Sequence, residues 1–387
     1  MDKEDKDKIE LAVSQSGFPL EHYIGNVLRK KGWRIITNRY YIDDLKNIER
    51  EIDILAYKIH TDEEERIKYY TCLIISCKKS DKYTWCFLTR DADIQDNNID
   101  WTPLHFCSAD IVLKYMTEKR RNLIIDKYKE HSGIKHLYEF SETVFAYQQL
   151  AIAESNKSGR KPGDYYIDKN EDIHNSIITC IKALEAEKHS RINKAHEKYK
   201  RFYTFHLVSV FDGKMVKDYF NEEGKQHIEE IHEIKYLNRH IVNKEEDFYI
   251  VNFVTKDKFE YRLNLWDYFH SYNSKYLLGY VISEYYKDVF KDEEKANVLW
   301  DTFKSQVLWI LEHCLRYKCN IEKDYKIDLY YRYKNKKLEF YTNHYLNESD
   351  IETLNNDKDL LNYFKSKLLE IYRYEGEFSF SNDELPF

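Results

Sequence analysis

The spacing of apolar residues near the start of the chain predicts an amphipathic helix. Leu20, Ile24 and Leu28 recur on one helical face. Pro19 fits an early helical position and Gly32 fits the stop. We therefore expect one side of this helix to pack on a core.

Two apolar segments after this helix predict an antiparallel hairpin. Residues 50–58 alternate in a short β-like pattern, and residues 68–78 form a continuous apolar run. Such a run is expected of a central strand that is buried on both faces. The polar loop between the segments closes the hairpin, and residues 83–89 predict another short strand.

The remaining chain predicts further helices and strands, with a change of character after residue 258. Before that point we expect helices over 108–131, 136–155 and 171–200, two strands within 202–219 around an Asp212-Gly213 turn, and a strand over 247–254. After it we expect helices over 263–290 and 295–318, a hairpin turning at Asn335, and a helix over 350–373. The pattern predicts an α/β domain over 1–257 and a smaller α+β C-terminal domain over 258–387 that binds partners or mediates oligomerisation.

Composition and charge narrow the setting in which the chain works. The net charge is −7, so any contact with nucleic acid must come from a local basic surface or from a partner. The seven cysteines contain no C-x-x-C pair and no regular spacing, which argues against a disulfide framework or a structural zinc site. A charged N-terminus without an apolar segment behind it, and the lack of a long apolar run, predict a cytoplasmic protein with no membrane span.

Three residues in the first hundred could carry metal-assisted chemistry. Glu21 lies on the predicted helix, Asp53 on the first hairpin strand, and Lys78 at the end of the buried second strand. The hairpin would place Asp53 and Lys78 side by side at one sheet edge, with Glu21 laid over the same point. Phosphodiester hydrolysis needs hard cations held by oxygen ligands, and it gains from a positive charge near the attacking water.

The segments around these residues resemble the PD-(D/E)xK nuclease superfamily. They are S-G-F-P-L-E (16–21), E-I-D-I-L-A (51–56) and L-I-I-S-C-K-K-S (73–80), followed by Trp85. The chain looks closest to the Mrr-like nucleases and to the endonuclease domains of bacterial anti-phage effectors of the Cap-four kind. The resemblance covers about residues 10–90 and extends more loosely to about residue 255.

This resemblance implies a fold, a cofactor and a role for each residue. The fold would be a restriction-endonuclease-like mixed sheet flanked by helices. Asp53 would ligate Mg²⁺ or Mn²⁺, Glu21 would support the metal, and Lys78 would assist the attacking water.

One position departs from the family pattern. The family has Glu or Asp two residues before the lysine, where this chain has Ser76, and a hydroxyl is a weaker ligand for a hard cation. Glu21 could supply the missing carboxylate, with the Cys77 carbonyl as a further metal ligand and Ser76 either hydrogen-bonding nearby or simply packing. Alternatively, Lys79 is the catalytic cation and Cys77 holds the acidic position. A third interpretation is an inactive site.

Further polar residues are candidates for auxiliary roles. Gln148, on the predicted helix 136–155, could face the cleft, although an exposed helix position is the simpler interpretation. The basic loop S-N-K-S-G-R-K-P-G-D contains Lys157, Arg160 and Lys161, which could contact phosphate. Basic surface loops are common, however, so a solvated loop is the alternative interpretation.

The resemblance implies a Mg²⁺- or Mn²⁺-dependent endonuclease that cuts DNA, with double-stranded DNA expected. It would act as the effector subunit of an anti-phage or anti-plasmid complex, such as one with an SMC-like ATPase in Lamassu-type systems. Homo-oligomerisation would pair two active sites. Two alternatives stay open: a catalytically inactive scaffold or nucleic-acid-binding subunit, favoured by Ser76, and an RNase or guide-associated nuclease subunit.

Overall fold

The computed structural model describes residues 1–43, 48–154, 159–192, 198–242, 244–319, 321 and 326–382. The chain divides into two compact units. The first contains Met1–Asp110 and Arg121–Leu277, and the second contains Ile111–Arg120 and Leu278–Phe387. The fold is mixed α/β: a large curled mixed sheet flanked by helices forms the first unit, and a small sheet with helices forms the second.

The first unit begins with two helices and continues with strands and helices in mixed order. Its helices are α1 (Lys3–Ser14), α2 (Phe18–Lys30), α4 (Arg121–Glu130), α5 (Ser132–Lys135), α6 (Glu171–Ile192) and α7 (Lys256–Tyr272), and a π-helical segment, Asn273–Leu277, follows α7. Its strands are β1 (Arg34–Asp43), β2 (Ile48–Asp62), β3 (Ile67–Asp91), β4 (His105–Ser108), β5 (Glu142–Ile152), β6 (Tyr165–Asp168), β7 (Lys200–Phe220), β8 (Gln226–Ile231), β9 (Glu233–Val242) and β10 (Glu245–Thr255). Helix α3 (Ile111–Glu118) belongs to the second unit.

All ten of these strands within the described residues join one mixed sheet. Its main path runs β1-β2-β3-β7-β10-β9, with β5 and then β6 added at β3, and β4 and β8 added at β7. The pairs β3–β7 and β7–β10 are parallel, and the others are antiparallel. The two long central strands, β3 with 25 residues and β7 with 21, hold the sheet together.

One edge of β3 changes partner along its length. Strand β2 pairs with β3 up to the Ile54–Ile75 pair, and β5 pairs with it from Tyr83 onwards. Between these two ladders, residues 76–79 of β3 pair only with β7, and residues 80–82 form the bulge and pair with neither neighbour. The sheet is therefore open at this point, immediately after its most buried segment.

Gly213 lies inside the continuous strand β7, and the predicted Asp212-Gly213 turn is wrong. The β3–β7 register advances from Lys79–Asp212 to Thr84–Lys214, so β3 bulges opposite Gly213. A Cβ at Gly213 would lie 2.7 Å from the Ser80 carbonyl oxygen. Glycine is needed here for close approach of two backbones rather than for a turn.

Helices cover both faces of the sheet. On one face, Ile177, Cys180 and Leu184 of α6 join a buried cluster with Ile74 and Leu207. On the other face, Phe269 of α7 packs edge-on to His206, and Gly25 of α2 approaches Ile35 of β1. Strand alternation explains this division, since neighbouring residues point to opposite faces.

Helix α7 explains why the unit boundary differs from the predicted one at residue 257. Leu263, Trp266 and Phe269 of this helix are fully buried, and His206 of β7 contacts the two aromatic rings. The helix is therefore part of the first core, and the division comes at Leu277. An amphipathic pattern shows that a helix buries one face, but not which core receives it.

The predicted helix 136–155 is also wrong. The short helix α5 ends at Lys135, just before this stretch, and residues 142–152 form β5, which pairs with β3. Tertiary pairing decides the outcome here, because an apolar segment of this length suits either state. The predicted helix 108–131 is two helices, α3 and α4, and the described part of the predicted helix 171–200 is helical to Ile192.

The second unit builds a small three-stranded sheet with helices. The helices after α3 are α8 (Leu278–Tyr286), α9 (Glu293–Asn297), α10 (Trp300–Lys318), α11 (Glu348–Asn356) and α12 (Lys358–Tyr372); the strands are β11 (Leu329–Lys334), β12 (Lys337–Thr342) and β13 (Phe378–Phe380). The predicted hairpin at Asn335 is confirmed as β11–β12. Phe303, Phe340 and Phe364 form its aromatic core. Across the described residues of both units, no helix is long and apolar enough to cross a membrane.

Candidate active site

Asp53 lies where the β2–β3 ladder ends. Beyond the Ile54–Ile75 pair the two backbones separate, and Asp53 Oδ2 accepts a hydrogen bond of 2.6 Å from the Cys77 N–H. The side chain thus replaces the backbone partner that β3 would otherwise have at this point. This contact fixes the carboxylate at the opening in the sheet.

The Cys77 backbone faces the same opening. In a strand, the N–H and C=O of one residue point to the same neighbour, so the Cys77 carbonyl lies on the Asp53 side. The Cys77 thiol is buried, and burial followed by the charges of Asp53 and Glu21 raises its pKa well above the usual value. The residue can therefore offer an oxygen ligand through its carbonyl, whereas its side chain stays a neutral thiol.

Glu21 approaches this opening from the first turn of α2. Its pKa is raised by partial burial first, and then by the negative charges of Asp53 and Glu51, while Lys78 acts in the opposite direction. The three carboxylates and the lysine are therefore close enough to influence one another, as the sequence predicted for Glu21, Asp53 and Lys78.

Asp53 shows the same mutual influence. Burial raises its pKa, and the charge of Glu51 adds to this, while the Cys77 N–H, Lys78 and the Ser76 hydroxyl favour the ionised form. The net effect is a raised pKa. A buried carboxylate beside others of like charge is stabilised when a cation joins it.

Glu51 is a site residue that our sequence reasoning missed. It lies two positions before Asp53 on β2, so both side chains leave the same face of the strand. Its Oε1 atom is buried and has no hydrogen-bond partner among the described residues. The signal was available in E-I-D, where two acids at strand spacing flank one apolar residue.

Ser76 occupies the position of the missing family acid. It is 1% exposed and lies beside Ser209 of β7, which in turn accepts a 2.6 Å hydrogen bond from Ser176 of α6. The Ser76 hydroxyl influences Asp53, yet within the described residues its Oγ has no partner at hydrogen-bonding geometry. The strand is therefore packed tightly at this position, and Glu51 brings a carboxylate to the opening instead.

The two adjacent lysines have different surroundings. Lys78 is half-buried, and its charge lowers the pKa values of both Glu21 and Asp53. Lys79 Nζ donates a 2.6 Å hydrogen bond to the Ser14 carbonyl at the end of α1. The geometry favours Lys78 over Lys79 as the positive group of the site.

Gln148 lies on β5 rather than on a helix. It pairs with Cys86, whereas its neighbour Gln149 pairs with Trp85 and is buried, with a long 3.5 Å contact to Asp172 of α6. No contact places Gln148 at the carboxylate cluster in the described structure. Its role as an auxiliary residue stays a prediction.

The predicted basic loop connects β5 to β6. Arg160 stacks over the Tyr166 ring at 4.1 Å, and the Lys161 N–H donates to Asp164. Both residues are exposed, and Lys157 lies outside the described residues. Their role as phosphate contacts also stays a prediction.

The cluster fits a magnesium site of the open kind. In the described part of the chain, no three His, Cys, Asp or Glu side chains are arranged closely enough to form a metal site. Mg²⁺, however, commonly uses one or two carboxylates and keeps several waters. The partnerless Glu51 oxygen, the Asp53 carboxylate and the Cys77 carbonyl are hard oxygen donors that suit such a cation.

Comparison with known proteins does not assign this arrangement to a family. No protein-family model, no curated protein and no solved structure matches the chain.

Proposed function

We propose that this protein is a metal-dependent endonuclease that hydrolyses DNA phosphodiester bonds. The observation that carries the proposal is the opening in the β2–β3 ladder, where Asp53 binds the Cys77 N–H and Glu21, Glu51 and Lys78 lie around the same point. The large mixed sheet, with the Asp53 carboxylate on β2 and Lys78 at the opening in the adjacent strand β3, is compatible with a restriction-endonuclease-like core.

Each residue would have a separate task. Asp53 and the Cys77 carbonyl would hold Mg²⁺ or Mn²⁺, with Glu51 or Glu21 as the second carboxylate. The metal would supply a polarised phosphate and an acidified water. Lys78 would donate a hydrogen bond to the attacking water or the scissile phosphate, where its charge offsets the developing negative charge.

Ser76 does not by itself argue for an inactive protein. Two carboxylates are enough for a magnesium site that retains waters, and Glu21 and Glu51 are both available to join Asp53. The acidic group that the family places on β3 would thus come from β2 or α2.

The resemblance to anti-phage effectors extends this proposal to the assembly. The nuclease would be a subunit that partner proteins hold inactive, such as an SMC-like ATPase, and pairing of two copies would allow both strands to be cut. The net charge of −7 agrees with an enzyme that has low intrinsic attraction to DNA.

The test is cleavage of supercoiled plasmid by the full chain, alone and with the products of neighbouring genes, in Mg²⁺, Mn²⁺ or EDTA. Wild type should cut only with metal, and Asp53→Asn should not cut. An RNA substrate run in parallel distinguishes a ribonuclease. If no mixture cuts either substrate, the proposal fails and the scaffold alternative is favoured.

A further inference from the structure

A basic groove lies on the sheet face that α6 covers, at the end of the helix away from the carboxylate cluster. Four arginines line it: Arg34 and Arg39 of β1, Arg191 of α6 and Arg201 of β7. The cavity has a volume of about 310 Å³. A concentration of guanidinium groups is unexpected in a chain with a net charge of −7.

Two of these arginines, Arg39 and Arg191, are held in place. Glu187 is only 7% exposed in its side chain, and it accepts hydrogen bonds from both Arg39 and Arg191. Arg191 also lies over the Tyr203 ring at 4.6 Å, and Tyr203 stacks on Tyr70 at 4.5 Å. Because their planes are fixed in advance, these guanidinium groups lose little freedom when they bind an anion.

The charge on this surface is not fully neutralised. Arg39 and Arg191 share the single carboxylate of Glu187, and Arg34 is exposed with no carboxylate partner among the described residues. Arg39 also keeps 37% of its side chain exposed. Guanidinium groups bind phosphate through paired N–H donors, so this geometry suits a ligand with several phosphates.

We propose that this groove binds backbone phosphates of the nucleic acid whose cleavage is proposed above. This inference rests on the proposed function for the identity of the strand. Ser176 of α6 lies beside the strands of the active site, and Arg191 lies fifteen residues later, about 22 Å along the helix. A bound duplex would span this distance with about six base pairs, so the groove contacts the backbone away from the cut.

The test measures binding separately from cleavage. Fluorescence anisotropy of a labelled duplex of about 20 base pairs, and of its single strand, is recorded in EDTA over a range of salt concentrations. The full chain carries Asp53→Asn in every sample. Arg34→Gln with Arg201→Gln is compared with Arg239→Gln, an exposed arginine of β9 that pairs with Glu246.

We expect the affinity of the double variant for DNA to fall by about tenfold or more. Its binding should also release about two fewer counterions, so that its affinity depends less steeply on salt concentration. Arg239→Gln should bind like the parent. Equal binding by the double variant, with an unchanged melting temperature, would overturn the inference. If the double variant does not fold, Arg34→Glu alone replaces it, because Arg34 is exposed.

The outcomes distinguish this inference from the proposed function. If DNA binding depends on the groove but no metal-dependent cleavage occurs, the groove inference is supported and the proposed nuclease activity is contradicted. If cleavage occurs but neither binding nor cleavage depends on the groove, the nuclease activity is supported and the groove inference is contradicted. Binding of free mononucleotides or inorganic phosphate, without binding of either strand form, also overturns it.

Discussion

Asp53 and Cys77 are 24 residues apart in sequence and are joined by a 2.6 Å hydrogen bond from the Cys77 N–H to the Asp53 carboxylate. This contact replaces a rung of the β2–β3 ladder. Asp53→Ala would leave the N–H without its acceptor, whereas Asp53→Asn keeps an oxygen in place. We expect the alanine variant to be less stable than the asparagine variant by about 1–3 kcal/mol. Urea denaturation in EDTA measures this difference, and equal stability of the two variants would show that the contact contributes nothing.

The raised pKa of Asp53 predicts a pH dependence of stability in the absence of metal. Burial, with the charge of Glu51, raises the pKa in the folded state above that of the unfolded chain. The folded state therefore binds the proton more tightly, and this stabilisation is complete below about pH 4 and is lost as the pH rises through the folded pKa. Relative to Asp53→Asn, wild type should lose stability as the pH rises towards neutrality.

The measurement is the melting temperature of wild type and of Asp53→Asn in EDTA at several pH values. Asp53→Asn is the control, because the other groups titrate equally in both proteins and cancel in the difference between the two melting temperatures. A difference that does not vary with pH, or that varies in the opposite direction, would contradict the account.

Ser76 provides a test of the departure from the family pattern. Its Oγ has no hydrogen-bond partner among the described residues, so Ser76→Ala should retain cleavage and change the free energy of unfolding by less than about 1 kcal/mol. Plasmid cleavage and urea denaturation measure the two effects. Loss of cleavage by a folded Ser76→Ala protein would mean that the hydroxyl takes part in the reaction.

The adjacent lysines form a matched pair. Lys78→Met should reduce cleavage by about a hundredfold or more, because the site loses its positive group. Lys79→Met should cut like wild type, since Lys79 contacts the Ser14 carbonyl instead. Single-turnover cleavage measures both variants. The reverse result would move the catalytic role to Lys79, as the alternative interpretation of the sequence holds.

The sequence predicted much of the local structure around the site, because strong periodicity and local spacing determine it. The helix with Glu21, the strand with Asp53 and the buried run up to Lys78 are present in α2, β2 and β3, but β3 does not end there: it continues through the separately predicted strand 83–89 to Asp91. The opening between β2 and β5 was not predictable, since it depends on where two strands distant in sequence stop pairing with β3.

Long-range pairing also explains the larger errors. Residues 142–152 form a strand because the edge of β3 pairs with them. Gly213 lies within β7 rather than in a turn, and its lack of a side chain lets the Ser80 backbone of β3 approach closely. The groove arginines come from three elements separated by up to 167 residues, from Arg34 to Arg201. No local pattern brings such residues together, so only the folded chain reveals that surface.

The proposed activity requires that the carboxylates at the ladder opening bind a divalent cation. The most direct measurement is a Mn²⁺ titration of the full chain, with free Mn²⁺ followed by electron paramagnetic resonance, for wild type, Asp53→Asn and Glu51→Gln. We expect a Mn²⁺ site in wild type that Asp53→Asn removes and Glu51→Gln weakens. Binding that neither substitution changes, or no binding by wild type, would contradict it.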